Sequence, residues 1–255
     1  MTRKDFPDFN DSMHFAVYYK EHSKANPDWD RLIENYNNFK LSKKGKQKIP
    51  KVVHQIWVGG PMKDFEKQCT DQVKSALGAD WEYKLWNEEN IRTLKYIDKE
   101  AVNKAGSTTH GLAKVVDLVR YAILYEFGGV YMDTDFILHK DFNELLDLDF
   151  FVGLAYDAKP IIFNGLIGCT PKLELVQALS ILDQPLEGEE VMDVTGPWFA
   201  TRRMFEFLNK DVVALPVSFF YPFPNFPRQR SIGNNYKDYI KKETICTHLW
   251  SSAWM

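Results

Sequence analysis

The sequence predicts an α/β protein, with a mostly parallel central sheet flanked by helices and a helical N-terminal extension. Short strand-like segments alternate with helical segments from residue 49 onward, an order typical of parallel sheets covered on both faces. The 255 residues are enough to bury a large core without disulfides. Hydrophobic residues make up 45% and charged residues 26% of the chain, which argues against disordered, fibrous and coiled-coil proteins.

The first part of the chain differs in pattern from the rest. We expect residues 1–48 to form a helical extension with a lysine-rich connector, and residues 49–255 to form one α/β domain. The connector runs from Lys40 to Lys51. Such a charge run is usually a solvated linker, and contact with an anionic membrane surface is the alternative.

The elements follow from local patterns in chain order. β-branched and aromatic runs bounded by turn residues predict strands, and apolar residues at three- and four-residue intervals predict helices. The clearest helix is 111–127, which Gly128 and Gly129 end with a left-handed stop. The predicted strands are 52–58, 81–86, 130–132, 136–138, 150–154, 161–163, 212–215 and 244–248. The predicted helices are 13–19, 29–39, 64–77, 91–97, 111–127, 172–182 and 197–208.

Polar residues mark two of these helix starts. Asn87 has the side chain of an N-cap and is followed by Glu88 and Glu89, so it predicts the start of the helix at 91–97. Thr195 is predicted to cap the helix at 197–208, with a proline as the first helical residue.

Charge and cysteine usage exclude several classes of protein. The net charge of -3 gives no general basic field, so nucleic acid is a poor candidate ligand. Cys69, Cys169 and Cys246 are odd in number and far apart, which fits neither a disulfide framework nor a zinc ribbon and favours a reducing compartment. The first twenty residues lack the apolar run of a signal peptide, and no later run is long enough to span a membrane. We therefore expect a soluble, cytoplasmic protein.

The most conspicuous motif is a pair of aspartates after a glycine turn. The common dinucleotide, P-loop, zinc-protease and serine-hydrolase motifs are absent. Asp133 and Asp135 follow an apolar strand, and in an extended segment both side chains point to the same face. Adjacent carboxylates repel each other, and a hard cation such as Mg²⁺ or Mn²⁺ relieves that repulsion while it grips a diphosphate. The alternative is an exposed turn whose aspartates only face water.

A second polar pair lies on the helix just upstream. Asp117 and Arg120 are three residues apart, so they share one helix face, largely opposite the apolar stripe. An arginine there could bind phosphate or ribose, and Asp117 could accept from sugar hydroxyls. The alternative is a surface ion pair with little effect on stability.

The residues around both pairs resemble a known family. KVVDLVRY at 114–121, followed by LYEFGGVYMDTD at 124–135, is similar to the signature of the DXD-containing sugar transferases, glycosyltransferase family 32. IPKVVHQIWVG at 49–59 and HLWSSAW at 248–254 resemble its first strand and its closing motif. The family includes initiating mannosyltransferases, capsule-building enzymes and the glucosyltransferase domains of large clostridial toxins. The resemblance covers residues 49–255 and implies a GT-A type fold that binds a nucleotide sugar.

The resemblance implies a role for each matching residue. Trp57 would stack on the nucleotide base, and Asp117 and Arg120 would hold ribose and sugar. Asp133 and Asp135 would engage Mn²⁺ or Mg²⁺ and the diphosphate. The other implied site residues are Tyr131 on the donor, Asn164 near the reacting sugar carbon, His248 as a third metal ligand, and Ser251 and Trp254 on a C-terminal flap.

Local sequence leaves a second interpretation for three of these residues. Trp57 could belong to the core, and His248 could be a structural histidine with an ordinary hydrogen-bond partner. Asn164 and Gly165 could form a plain turn, since this dipeptide is a strong turn signal. His54, near Trp57 on the same strand, is expected to be a buried structural histidine.

The resulting functional prediction is a metal-dependent, retaining glycosyltransferase. It would move a hexose from a UDP- or GDP-sugar to a carbohydrate or glycolipid acceptor, and by resemblance it would serve polysaccharide biosynthesis. Two alternatives remain open from the sequence. One is a metal-dependent nucleotidyltransferase on a similar sheet, and the other is a carbohydrate-binding module without turnover.

Overall fold

The computed structural model describes residues 3–13, 19, 26–154, 159–182, 185–186, 190–226 and 232–251. Within them the helices are α1 (Phe9–Ser12), α2 (Asp28–Leu41), α3 (Asp64–Ala76), α4 (Glu88–Ile91), α5 (Lys99–Gly106), α6 (Gly111–Phe127), α7 (Glu174–Leu179), α8 (Val191–Val194), α9 (Pro197–Phe207) and α10 (Val217–Phe220). The strands are β1 (Val52–Ile56), β2 (Glu82–Trp86), β3 (Gly129–Met132), β4 (Phe136–Leu138), β5 (Phe150–Leu154), β6 (Ile162–Cys169), β7 (Val212–Leu215) and β8 (Cys246–His248).

A six-stranded sheet forms the centre of the described part of the chain, in the order β2-β1-β3-β6-β5-β7. β1 pairs in parallel with β2 and β3, and β5 pairs in parallel with β7, whereas β6 is antiparallel to both β3 and β5. All strands of this sheet except β6 therefore run in one direction, and the predicted α/β fold with a mostly parallel sheet is confirmed. Only residues 155–161 join β5 to β6, a connection that suits an antiparallel pair.

The turn between α6 and β3 determines where Arg120 and Asp133 lie relative to the sheet. Gly128 and Gly129 have φ values of 63° and 90°, as the predicted left-handed stop requires. A Cβ on Gly129 would lie 2.5 Å from a side-chain carbon of Val52, so β3 runs directly against β1. Arg120 lies about 10 Å from this turn along α6, and Asp133 lies about 13 Å from it along β3. Because the helix and the strand extend from the same turn, both residues lie near the carboxyl end of β3.

A small second sheet lies next to the carboxyl end of β3. β4 and β8 pair antiparallel, with Phe136 opposite His248. This register carries His248, from the far end of the chain, to the residue that follows Asp135. The rings of Phe136 and His248 lie 4.5 Å apart between centroids.

The described N-terminal helices pack onto the common core. The rings of Phe6 and Tyr36 contact Phe219 at centroid distances of 5.1 and 6.1 Å. Asn35 donates to the carbonyl of Val212 at 3.1 Å, next to the edge strand β7. The predicted boundary at residue 48 stays a prediction, and the described part of the extension shares one hydrophobic cluster with the sheet. Most of the helix predicted at 13–19 lies outside the described residues.

Four lysines of the connector are paired with carboxylates elsewhere in the described part of the chain. Their partners are Asp8 for Lys40, Glu144 for Lys44, Asp149 and Asp211 for Lys48, and Asp80 for Lys51. Much of the positive charge of the connector is therefore neutralised within the protein.

Some element predictions were wrong. The helix expected at 91–97 is replaced by the single turn of α4, and a separate helix, α5, follows it. Asn87 caps α4 as predicted, but Thr93 donates its hydroxyl back to the carbonyl of Asn90 and Asp98 caps α5 instead. No helix in the described ranges combines the length and the hydropathy that a membrane span needs. The three cysteines are free and buried.

Candidate functional site

The acidic pair lies on a turn, not on the extended segment that the sequence predicted. β3 ends at Met132 and β4 begins at Phe136, so residues 133–135 form the connection. The backbone N–H of Asp133 donates to Gly165 at 2.8 Å, and its carbonyl accepts from the side chain of Gln55 at 2.9 Å. These two bonds tie the backbone of Asp133 to β6 and β1 where the chain enters the turn.

Despite the turn, the two carboxylates converge with an imidazole. Asp133, Asp135 and His248 each offer a ligand atom, and these atoms lie within 4.8 Å of one another. Nε2 of His248 contacts a carboxylate oxygen of Asp135 at 2.7 Å, and its buried Nδ1 has no hydrogen-bond partner among the described residues. Two carboxylate oxygens and one imidazole nitrogen form a donor set that suits Mn²⁺ and admits Mg²⁺. These residues fit a divalent cation.

Burial and neighbouring charge act differently on the two carboxyls. Burial raises the pKa of Asp133 above its ordinary value, although Arg120 opposes the shift. Burial also acts on Asp135, but the contact with His248 and a 2.8 Å hydrogen bond from the N–H of Ser251 lower its pKa overall. Asp135 is therefore the more readily ionised member of the pair.

Arg120 bridges the helix pair and the acidic turn. Its guanidinium lies 3.2 Å from Asp117 and 3.3 Å from Asp133, with 6% of the side chain exposed, and it also donates to the carbonyl of Asn164. The ring of Tyr131 lies 4.5 Å below it, and the Tyr131 hydroxyl donates to Asp133 at 2.6 Å. The surface ion pair given as the alternative for Asp117 and Arg120 is wrong. Both residues are buried, because each charge has a partner inside the protein.

Asp117 has three partners from different parts of the chain. Its carboxylate accepts from Asn164 of β6 and from the Thr195 hydroxyl, both at 2.8 Å, and it forms an ion pair with Arg120 of its own helix at 3.2 Å. Burial raises the pKa of Asp117 to about 6, and the three partners limit the rise. The group is thus poised to lose its charge under mildly acidic conditions.

Two of these donors correct the sequence interpretation. The turn proposed as the alternative for Asn164 is wrong, because β6 continues through it to Cys169. Thr195 does not cap α9, where Gly196 holds the cap position; Pro197 is at the helix start as predicted. The Thr195 hydroxyl binds Asp117 instead, and sequence reasoning missed this role because a threonine before Gly-Pro reads as a cap.

Tyr121 is a further residue that sequence reasoning missed. Its hydroxyl donates to the carbonyl of Thr195 at 2.7 Å and accepts from the Asn164 amide at 2.9 Å. A tyrosine within an apolar helical stripe gives no signal of such a role. It completes a buried hydrogen-bond network behind Asp117.

Trp57 lies just beyond β1 and is half-buried. Its indole N–H donates to the carbonyl of Gly60 at 2.8 Å, in a loop whose Gly59 has a φ of 89°. The N–H of Gly59 donates to Glu88 at 2.7 Å, which ties this loop to α4. The stacking role of Trp57 stays a prediction.

The remaining predicted residues have different outcomes. Ser251 is half-buried, and its backbone N–H, not its hydroxyl, contacts Asp135. Trp254 lies outside the described residues. His54 is fully buried, bonds the carbonyl of Gly128 and accepts from the indole of Trp86, which confirms its structural role. Burial lowers the pKa of His54 to about 3, so it stays neutral.

Comparison with known proteins identifies the region that contains this site. Residues 63–151 match the sequence model of the family described as "Glycosyltransferase sugar-binding region containing DXD motif". The matched segment contains Asp133 and Asp135. The resemblance to DXD-containing sugar transferases is therefore confirmed, and the roles of these two aspartates stay a prediction.

Curated relatives and a solved structure agree with that assignment. Inositol phosphoceramide mannosyltransferase 3 of Schizosaccharomyces pombe is 29% identical over 119 residues, which cover 45% of this chain and 32% of that protein. Glycosyltransferase L373 of Acanthamoeba polyphaga mimivirus is 29% identical over 138 residues, 48% of this chain and 51% of that protein. The chain thus spans about half the length, or less, of these relatives. The PaToxG glycosyltransferase structure superposes with a TM-score of 0.51 at 16% identity, covering 76% of this chain and 80% of that one, which supports the GT-A fold.

Proposed function

We propose that the protein is a metal-dependent, retaining glycosyltransferase that moves a hexose from a UDP- or GDP-sugar to a carbohydrate or glycolipid acceptor. The observation that carries the proposal is the convergence of Asp133, Asp135 and His248 within 4.8 Å, beside the buried Arg120. A cation-binding triad next to a guanidinium matches the charge of a nucleotide diphosphate.

Each side chain has a part in this proposal. A divalent cation bound by the triad supplies the positive charge that stabilises the departing diphosphate. Arg120 is held between Asp117 and Asp133, and in this proposal its guanidinium would add positive charge beside that diphosphate. Asp117 and Tyr131 would orient the donor, and the Asn164 amide would lie near the reacting sugar carbon.

Retention of configuration is the part of the proposal that rests most on resemblance. The carboxylates of the described site are already engaged: Asp117 and Asp133 by Arg120, and Asp135 by His248. These three carboxylates thus already have charged partners. That arrangement is compatible with a reaction in which the leaving diphosphate takes the acceptor proton.

The acceptor and the location belong to the proposal as well. The relative from Schizosaccharomyces pombe is named for inositol phosphoceramide, which supports a glycolipid acceptor in this proposal. A cytoplasmic location is part of the proposal. Peripheral membrane contact through Lys40–Lys51 is the weaker option, because most lysines of the connector are paired with carboxylates. Nucleic acid is not proposed as a partner.

Replacement of Trp57 by alanine tests the nucleotide subsite. If the indole stacks on the base, we expect the affinity for free UDP or GDP to fall by about 1–3 kcal/mol, by analogy with stacking on nucleic-acid bases. Calorimetry on the folded variant measures this change. Trp57→Phe is the matched control and should retain most of the affinity for UDP or GDP. An unchanged affinity in Trp57→Ala would contradict stacking on the base and indicate a structural role for Trp57.

The protonation state of Asp117 predicts a pH dependence of kcat/KM. Donor hydroxyls are oriented by the carboxylate form, so kcat/KM should fall as the pH drops through about 6. Thr195→Val removes a hydrogen bond that favours this carboxylate and should move the acidic limb to higher pH, whereas Thr195→Ser should restore it. An acidic limb that is the same in Thr195→Val and wild type would exclude Asp117 as its origin.

Donor binding tests the proposed function itself. Thermal unfolding is followed with a panel of UDP- and GDP-sugars, with and without Mn²⁺. A bound donor should raise the midpoint only when Mn²⁺ is present, because ligands that bind the folded state stabilise it. Stabilisation by nucleoside triphosphates but by no nucleotide sugar would favour the nucleotidyltransferase alternative, and binding of free oligosaccharide alone would favour a binding module.

A further inference from the structure

Gln55 is a fully buried polar residue that the proposed chemistry does not use. It lies in β1, and both ends of its side chain are engaged: Nε2 donates to the carbonyl of Asp133 at 2.9 Å, and Oε1 accepts from the Tyr83 hydroxyl at 2.8 Å. A carbonyl can only accept, so this pattern fixes which end of the amide faces Asp133. The side chain of Gln55 is therefore held in one orientation.

The bond to Asp133 lies where the backbone ladder stops. The pairing of β1 with β3 ends at His54 opposite Tyr131. Beyond it, the Asp133 carbonyl bonds the side chain of Gln55, while its N–H bonds Gly165 of β6. The backbone of Asp133 is thus tied to the strands on both of its sides.

We propose that Gln55 is a positioning residue of the metal site, which holds the turn at 133–135 in the shape that brings Asp133 to Asp135 and His248. The inference rests on the proposed function, because it assumes that this triad binds a cation. The direction of a carboxylate follows from the backbone that carries it. Residues that fix ligands in this way typically change metal affinity by about tenfold to a hundredfold when they are removed.

Tyr83 extends this support to the neighbouring strand. It lies in β2 opposite Val53, so its side chain is on the same face of the sheet as Gln55. Its hydroxyl orients the amide of Gln55 but does not touch the acidic turn. Loss of this hydroxyl should therefore loosen the metal site less than loss of Gln55.

Mn²⁺ titration of three variants tests the inference. Gln55→Leu removes the donor at similar size, and Tyr83→Phe removes only the orienting hydroxyl. Gln72→Leu is the control, because Gln72 also bonds a backbone, accepting from Leu138 at 2.9 Å and donating to it at 2.7 Å, in the strand after the acidic turn and not in the turn itself. Calorimetry with Mn²⁺ is run on each folded protein, without donor and with UDP or GDP.

We expect Gln55→Leu to bind Mn²⁺ about tenfold to a hundredfold more weakly than wild type, Tyr83→Phe to fall between them, and Gln72→Leu to match wild type. Wild-type affinity in folded Gln55→Leu, or equal weakening in Gln72→Leu, would overturn the inference alone. If Gln55→Leu does not fold, Tyr83→Phe is the test, and an Mn²⁺ affinity equal to that of wild type in this variant would overturn the inference. Failure of wild type to bind Mn²⁺ under either condition would overturn the proposed metal-dependent function.

Discussion

Asp133→Asn combined with Asp135→Asn should abolish sugar transfer while the protein stays folded. The double substitution removes both negative charges from the triad and leaves amide oxygens, which are poor ligands for Mn²⁺ beside a single imidazole. Loss of the cation removes several kcal/mol of transition-state stabilisation, so we expect a fall in kcat/KM of about a thousandfold or more. Steady-state kinetics and Mn²⁺ titration measure the two effects.

Carboxylates elsewhere on the chain provide the control for this variant. Asp71 and Asp80 are exposed and each pairs with a lysine, so Asp71→Asn with Asp80→Asn makes the same change in charge away from the site. This control should keep wild-type kinetics. Normal turnover in the Asp133 and Asp135 double variant would contradict the proposed metal site.

Arg120→Met should have the largest effect on stability. Its guanidinium faces Asp117 and Asp133, and without it two buried carboxylates lose their positive partner. Removal of one side of a buried ion pair typically costs about 3–5 kcal/mol of unfolding free energy. Urea unfolding measures the loss. Arg31→Met is the control, because Arg31 and its partner Asp28 are both about half exposed and the change should be within about 0.5 kcal/mol.

The loss in Arg120→Met should also depend on pH in a definite direction. Without the guanidinium, the pKa values of Asp117 and Asp133 in the folded state rise further above those in the unfolded chain, where aspartate titrates at about 3.9. Between the two values the folded state binds more protons, so its stability falls as pH rises. The deficit relative to wild type should therefore be smaller at about pH 5 than at about pH 8. An equal deficit at both values would contradict the buried ion-pair account.

Local patterns predicted those parts of the fold whose structure follows from neighbouring residues. The spacing of apolar residues in α6 and the paired glycines after it determined a helix, a stop and the strand β3. Helix ends that compete with local side-chain bonds were less predictable: the Thr93 hydroxyl bonds back to Asn90, and Asp98 caps a separate helix beyond the one expected at 91–97. The antiparallel pairing of β6 with β5 suits their short connection, but its pairing with β3 joins segments that are distant in sequence, which no short pattern contains.

The candidate site was predictable by residue type more than by geometry. The Asp-x-Asp pair was identified as a metal site, but its placement on a turn depends on Gln55 and Gly165, which are distant in sequence. The burial of Arg120 was not foreseen, because an arginine on a helix face usually points to solvent. Thr195 gave a misleading signal, since the pattern of a helix cap and the role of a carboxylate partner use the same hydroxyl.

Product identification tests the central claim most directly. The purified protein is incubated with the UDP- or GDP-sugar that stabilises it, Mn²⁺ and either water or a glycolipid acceptor, and the released nucleotide and phosphate species are separated. We predict Mn²⁺-dependent release of the nucleoside diphosphate, which is lost in the Asp133→Asn, Asp135→Asn double variant. Release of inorganic diphosphate from a nucleoside triphosphate, with no nucleotide sugar consumed, would contradict the assignment as a glycosyltransferase.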